Sequence, residues 1–122
     1  MHAFFTSLAS NLSGKRAEQL SAAYLKKRGL TLIERNYRCR FGEVDLIMQH
    51  GNTLVFTEVR FRGNAFYGSA VETVISAKRK RIIAAAKHYL SGKQTTFCRF
   101  DVVVLDALDE ARIEWIQDAF SE

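Results

Sequence analysis

The stretch from Gly42 to Arg60 is two largely apolar runs separated by Gly51-Asn52. That dipeptide suits a two-residue hairpin loop with glycine where φ must be positive. With those two residues as the loop, His50 faces Thr53, and every further opposed pair has residue numbers summing to 103. Asp45 then falls opposite Glu58, and Glu43 opposite Arg60, all on one face because strand side chains alternate with period 2. Opposed side chains have Cβ atoms roughly 4.5–5.5 Å apart, and like charges so placed repel. The Asp45/Glu58 pair therefore needs what Glu43/Arg60 does not. The carboxyls can share a proton, which raises one pKa. They can hold a cation, as Mg²⁺ is held by one or two carboxylates plus substrate phosphates. Otherwise the face is open and both acids are solvated. The alignment depends on register, which a longer loop or a bulge would change.

Upstream, residues 1–13 carry no clear period and form a lead-in to a single domain over residues 14–122. From Gly14 to Arg28 the pattern is helical, with Ala17, Leu20, Tyr24 and Leu25 on one stripe and Gly29 in the C′ position that ends it. Glu18 borders that stripe. It either leans toward whatever the helix packs on or serves as a first-turn acid favoured by the helix dipole. Leu30–Arg38 reads as a first strand, ahead of the hairpin.

Downstream, the glycine-flanked loop after Arg62 carries Phe66 and Tyr67, which either anchor the loop or stack on a base. Ser69 and Glu72 fit a capping box that opens a helix running to Leu90. Its stripe is Val71, Ile75, Lys78, Ile82, Ala85 and Tyr89. A lysine within an apolar stripe either snorkels outward or points its ammonium at an anionic site. Arg79, Lys80, Arg81 and Lys87 are left for a solvated basic face which, with Arg62, could touch phosphates without sequence preference. Phe97–Leu105 and Arg112–Ile116 read as two more strands joined by a turn, with Asp101 in a structural role. The order helix, three strands, helix, two strands predicts an α/β fold with a mixed five-stranded sheet and helices packed on it.

A net charge of +5 and a pI near 9.5 favour a polyanionic partner. Cys39 and Cys98 lie far apart, without the spacing of a zinc site, and read as reduced thiols of a cytoplasmic protein. No run approaches the ~20 apolar residues of a membrane span, and the N-terminus lacks the basic and apolar regions of a signal peptide.

Asp45, twelve intervening residues and Glu58-Val59-Arg60, with Glu18 on a preceding helix, resemble the PD-(D/E)xK arrangement of the restriction-endonuclease-like superfamily, which includes archaeal Holliday-junction resolvases. More closely, the chain is similar to the YraN-like family of bacterial proteins, for which an endonuclease role is proposed. The matching pieces include Ala17-Glu18, Arg35-Asn36-Tyr37-Arg38, Gly42-Glu43-Val44-Asp45-Leu46-Ile47, Val55–Arg60, Lys78, Arg99–Val103 and Ile116–Phe120, and they span about residues 14–120.

The resemblance implies a three-layer restriction-endonuclease-like fold and a metal site of Asp45 and Glu58 assisted by Glu18. It also implies Mg²⁺ or Mn²⁺ as cofactor and DNA as substrate, branched or damaged DNA being the resolvase-like case, cut by two copies acting as a homodimer. Two positions depart from the motif. Val44 stands where the superfamily has proline, and Arg60 stands where it has lysine. Arginine stays protonated and cannot act as a base, though it can bind phosphate in a bidentate way. Lys78 would then supply the missing ammonium. The other readings are a nucleic-acid-binding module without cleavage, which the Arg60 exchange favours, and a protein-binding scaffold, which the basic charge disfavours.

Overall fold

The computed structural model describes residues 2–62, 76–93 and 97–122, with side chains from Ser13 onward. The elements run α1 (His2–Lys27), β1 (Thr31–Cys39), β2 (Gly42–His50), β3 (Thr53–Phe61), α2 (Ser76–Leu90), β4 (Phe97–Leu105) and β5 (Ile113–Phe120), with a 3-10 turn over Glu110–Arg112. The sheet has spatial order β1-β2-β3-β4-β5. Every neighbouring pair is antiparallel except β3 and β4, which are parallel. That parallel step follows from the crossover through α2, since a hairpin cannot join parallel strands. No helix among the described residues is long and apolar enough to cross a membrane.

The backbone is already helical at His2, before the start expected at Gly14. Its end is a Schellman cap. Gly29 has φ 95°, the Leu30 N–H donates to the Leu25 carbonyl at 3.1 Å, and the Gly29 N–H donates to the Lys26 carbonyl at 3.1 Å. Leu25 and Leu30 are both buried in one cluster, which is the apolar contact that accompanies this cap. The expected capping box at Ser69 and Glu72, and the aromatics Phe66 and Tyr67, lie outside the described residues.

Two clusters cover the two faces of the sheet and give three layers. Ala22 and Leu25 of α1 pack with Leu46, Met48, Val55 and Val103. Ile82, Ala85 and Ala86 of α2 pack with Val44, Ile47, Phe56, Phe100, Val102 and Val104. Phe56 is fully buried and stacks on Phe100 at 5.7 Å between ring centroids, and burial of such a side chain contributes roughly 2–3 kcal/mol.

The hairpin register is the one the sequence predicts, from His50↔Thr53 to Leu46↔Thr57. Gly51 has φ 62° while Asn52 stays at negative φ, as a type II′ turn with glycine at its first central position requires.

The β4/β5 edge is held by Asp101, which is fully buried. Its carboxylate accepts from Arg99 Nε at 3.0 Å, Trp115 Nε1 at 2.9 Å and the Asp118 backbone N–H at 2.9 Å. The β4/β5 register shifts between Phe100 and Val102, and Asp118 has φ 51°. One buried carboxylate thus satisfies the groups that the irregularity frees. This is the structural role expected of Asp101.

Candidate functional site

The site forms where β2 leaves β3. Val44 packs in the α2 cluster and Leu46, two residues on, in the α1 cluster. Residues two apart in an undisturbed strand share a face, so the alternation slips at Asp45. On the neighbouring rung of β1, the pairs Arg35↔Leu46 and Tyr37↔Val44 bracket Asn36, which has φ 51°. Asparagine is among the few residues that adopt this conformation readily. Both strands therefore kink on one rung, and Asp45 is the residue they turn inward.

The β2/β3 pairing ends at Leu46↔Thr57, and the expected one-face alignment of Asp45 with Glu58 and of Glu43 with Arg60 does not continue beyond it. His50↔Thr53 closes a two-residue hairpin, so the N–H groups of residues 53, 55, 57 and 59 point toward β2. At residue 59 the β2 backbone is gone, and the Asp45 carboxylate takes its place, accepting the Val59 N–H at 2.8 Å through Oδ2. The bond fixes Asp45 against β3 and brings it to Glu58.

Glu58 is only 4% exposed. It lies on the α2 face of β3, as its neighbours Phe56 and, in register, Val102 do. Lys78 of α2 reaches in to it, with Nζ 2.8 Å from Glu58 Oε2. Among the described residues Oε2 has no aligned hydrogen-bond donor, so the contact is an ion pair held by charge and not a directed bond. Of the two roles open to Lys78, the structure selects the inward one. Burial first, and then the adjoining Glu58 carboxyl, push the Asp45 carboxyl from 3.8 up to about 8, against the pull of the Val59 N–H and the Lys78 ammonium. The two acids share one partly dehydrated space with less positive charge than both would need to ionise.

Glu18 arrives from the opposite layer. The buried stripe of α1 is Ala17, Ser21, Ala22 and Leu25, which places Glu18 inside the packed face and not at its border. Leu20 and Tyr24, expected on the stripe, are half-buried. Burial and then the Asp45 charge raise the Glu18 carboxyl, while a hydrogen bond with the Asn36 side chain opposes them. Asn36 thus sets the kink and holds Glu18, a role the sequence reading missed; an asparagine within a strand-like run was its one signal. Among the described residues, no three His, Cys, Asp or Glu side chains are grouped closely enough to cage a metal ion. Asp45 and Glu58 form the tight pair, and Glu18 stands behind Asp45.

Glu43 does not pair with Arg60. It accepts from Arg38 Nε at 3.1 Å, across β1 and β2. Arg60 is half-buried, on the same face of β3 as Glu58 and beside Val104. Of the residues expected to form a basic face, Lys80, Arg81 and Lys87 are exposed on α2. Arg79 is half-buried, 5.9 Å from the Phe120 ring. Lys87 pairs with Glu122. Arg62 continues the β3/β4 ladder, its N–H donating to the Leu105 carbonyl at 2.8 Å. Cys39 and Cys98 are both free thiols.

Residues 17–105 match the model of the family described as "Uncharacterised protein family UPF0102". A UPF0102 protein of Nitrosomonas europaea is 50% identical over 110 residues, covering 89% of this chain and 93% of its own. One of Methylobacillus flagellatus is 51% identical over 108 residues, covering 88% and 96%. One of Psychromonas ingrahamii is 46% identical over 115 residues, covering 93% of each.

Proposed function

We propose that this chain, which belongs to the uncharacterised protein family UPF0102, is a nucleic-acid-binding protein of restriction-endonuclease-like fold that hydrolyses DNA phosphodiester bonds with Mg²⁺ or Mn²⁺. The observation that carries the reading is the Asp45/Glu58 pair. Two carboxyls from adjoining strands touch, one of them is pushed up to about 8, and one ammonium stands beside them. All-oxygen donors suit a hard divalent cation, and the crowding of negative charge is what such an ion would relieve. Asp45 and Glu58 would hold it, with Glu18 supporting Asp45 from α1.

Bound there, the ion would activate water and offset charge developing on the phosphate. The chain's own residues divide the remaining work. The Val59 N–H and the kink at Asn36 hold Asp45 in place, which is the preorganisation such a site needs. Lys78 neutralises Glu58 and carries ammonium donors that can turn to a phosphate oxygen. Arg60 stays charged and can steady the phosphate, but it takes no proton from water. A pair of copies would be needed to cut two strands together.

The test is incubation of pure protein with linear, nicked and branched DNA in Mn²⁺, beside Asp45→Asn and Glu58→Gln. Cutting that both substitutions abolish supports the reading, and cutting that survives both removes it. Arg60 is the observation that favours a second reading, a binding module that does not cut. On that reading, binding falls with salt and no metal gives turnover. Cutting that appears only in Arg60→Lys would identify a weakened catalyst.

A further inference from the structure

Among the described residues, Lys78 is the cation that the acid pair holds. Its Nζ lies 2.8 Å from Glu58 Oε2, and its charge also acts on Asp45. The contact is built so that the ammonium can leave. Glu58 Oε2 takes no aligned donor from it, so no directed bond would break. The Lys78 side chain is 34% exposed and that of Glu58 only 4%, so the pair has a wet end and a dry end. A lysine ammonium is a compact, strongly hydrated charge on a flexible four-carbon stem. Turning that stem returns the charge to water while buried Ile82, Ala85 and Ala86 keep α2 in place.

There is room for the turn. Lys78 also lines a cleft of about 550 Å³ between the β1/β2 turn and α2, together with Arg38, Glu43, Arg81 and Ile82. The acid on its far wall, Glu43, is half exposed and already bonded to Arg38, an arrangement that water screens and that holds a further cation only weakly.

Charge balance makes the ammonium and a divalent ion alternatives. Without the ion, Lys78 is what keeps the buried Glu58 from being an uncompensated charge. A divalent ion alone neutralises two ionised carboxylates. With the ammonium retained as well, a surplus positive charge would stand in a dehydrated space, which is strongly disfavoured. On the metal site proposed above, we infer that Lys78 is a tethered counter-ion that competes with the divalent cation for Glu58: it holds the acid pair in the metal-free protein and withdraws into the cleft on metal binding. Lys78 thereby sets a threshold of free metal below which the site stays closed by its own ammonium. It also couples the two places, since the cleft gains a free ammonium only when the acids are metal-loaded.

The test is a Mn²⁺ titration of the full chain at fixed pH without nucleic acid, with free Mn²⁺ read by its paramagnetic resonance signal. Lys78→Met should bind Mn²⁺ about tenfold more tightly than wild type, within the usual range for coupling between two bound groups. Lys78→Arg keeps the charge and should bind no more tightly than wild type. Lys80→Met, which removes a charge from the exposed side of the same helix, should leave the affinity unchanged. The gain in Lys78→Met should persist in about 1 M NaCl, where the Debye length is ~3 Å and distant charges are screened. A second readout needs no variant. Brief acetylation of the wild type, mapped by mass spectrometry, should increase at Lys78 and not at Lys80 when Mn²⁺ is added. A thermal melt checks that Lys78→Met is folded. Equal or weaker Mn²⁺ binding by Lys78→Met, the same gain in Lys80→Met, or acetylation of Lys78 that Mn²⁺ does not raise overturns the exchange and leaves the metal reading standing. Mn²⁺ binding that Asp45→Asn does not weaken overturns the metal site, and the exchange with it.

Discussion

Asp45→Asn should make the protein more stable at pH 8 while removing its response to metal. Burial and Glu58 raise the Asp45 carboxyl from 3.8 to about 8. Below pH ~4 both folded and unfolded chains carry this proton, between about 4 and 8 only the folded chain keeps it, and above 8 neither does. The folded state binds more protons across that window, so Asp45 lowers stability as pH rises through it. A shift of about four units, at ~1.4 kcal/mol each, sets a ceiling of ~6 kcal/mol. Asparagine removes the ionised form but still buries a polar amide. Its oxygen can accept the Val59 N–H and its NH₂ can donate to Glu58, so a gain of about 1–3 kcal/mol is expected. For a domain of this size that is a rise in Tm of roughly 3–12 °C. The assay is a set of thermal melts from pH 5 to 9, with and without millimolar MnCl₂. The wild type should melt lower as pH rises and should be stabilised by Mn²⁺ more at pH 8 than at pH 5, because at low pH the ion must displace a proton. A concentration one hundred times Kd would stabilise by ~2.7 kcal/mol. Asp45→Asn should lose both the slope and the metal shift. If the variant melts no higher than wild type at pH 8 and keeps the same pH slope, Asp45 is not the strained acid described above. A metal shift that persists in the variant would place the ion elsewhere.

Two further substitutions separate the site from the scaffold. Lys78→Met leaves the buried Glu58 carboxylate without its counter-charge and should cost about 1–2 kcal/mol in urea unfolding, less than a fully buried pair because the Lys78 side chain is one-third exposed. The double variant Lys78→Met/Glu58→Gln should recover most of that loss, since no charge is then left stranded. Asp101→Asn replaces one of the two oxygens that accept from Arg99, Trp115 and the Asp118 backbone N–H with an amide NH₂, which sets donor against donor, and should cost about 2–4 kcal/mol. Trp115, the single tryptophan, reports that unfolding directly by fluorescence, and the folded fraction should keep the metal response of the wild type.

The elements and the hairpin register were legible in the sequence because they rest on local signals: a period of 2 or 3.6, Gly29 after a helix, Gly51 in a turn. Lys78 stood out too, as a charged residue at an apolar position of α2, but the pattern left its direction open and the structure turns it inward onto Glu58. The kink was not. Period-2 counting places Asp45 opposite Glu58 by continuing a ladder that in fact stops at Leu46↔Thr57, and it assigns Glu43 to Arg60 for the same reason. What ends the ladder is a paired slip in two strands, and its only local trace is an asparagine at residue 36 able to take positive φ. The miss falls at one end of the sheet. Regular pairing there would have satisfied the Val59 N–H with backbone and set Asp45 opposite Glu58 across the ladder. The break in the ladder commits a side-chain carboxylate to the backbone of β3 instead, with Glu58 still beside it and Glu18 behind. Two acids kept in contact at the cost of strand pairing, each with a single partner of its own in Val59 N–H and Lys78, are the feature on which the proposed cation site rests.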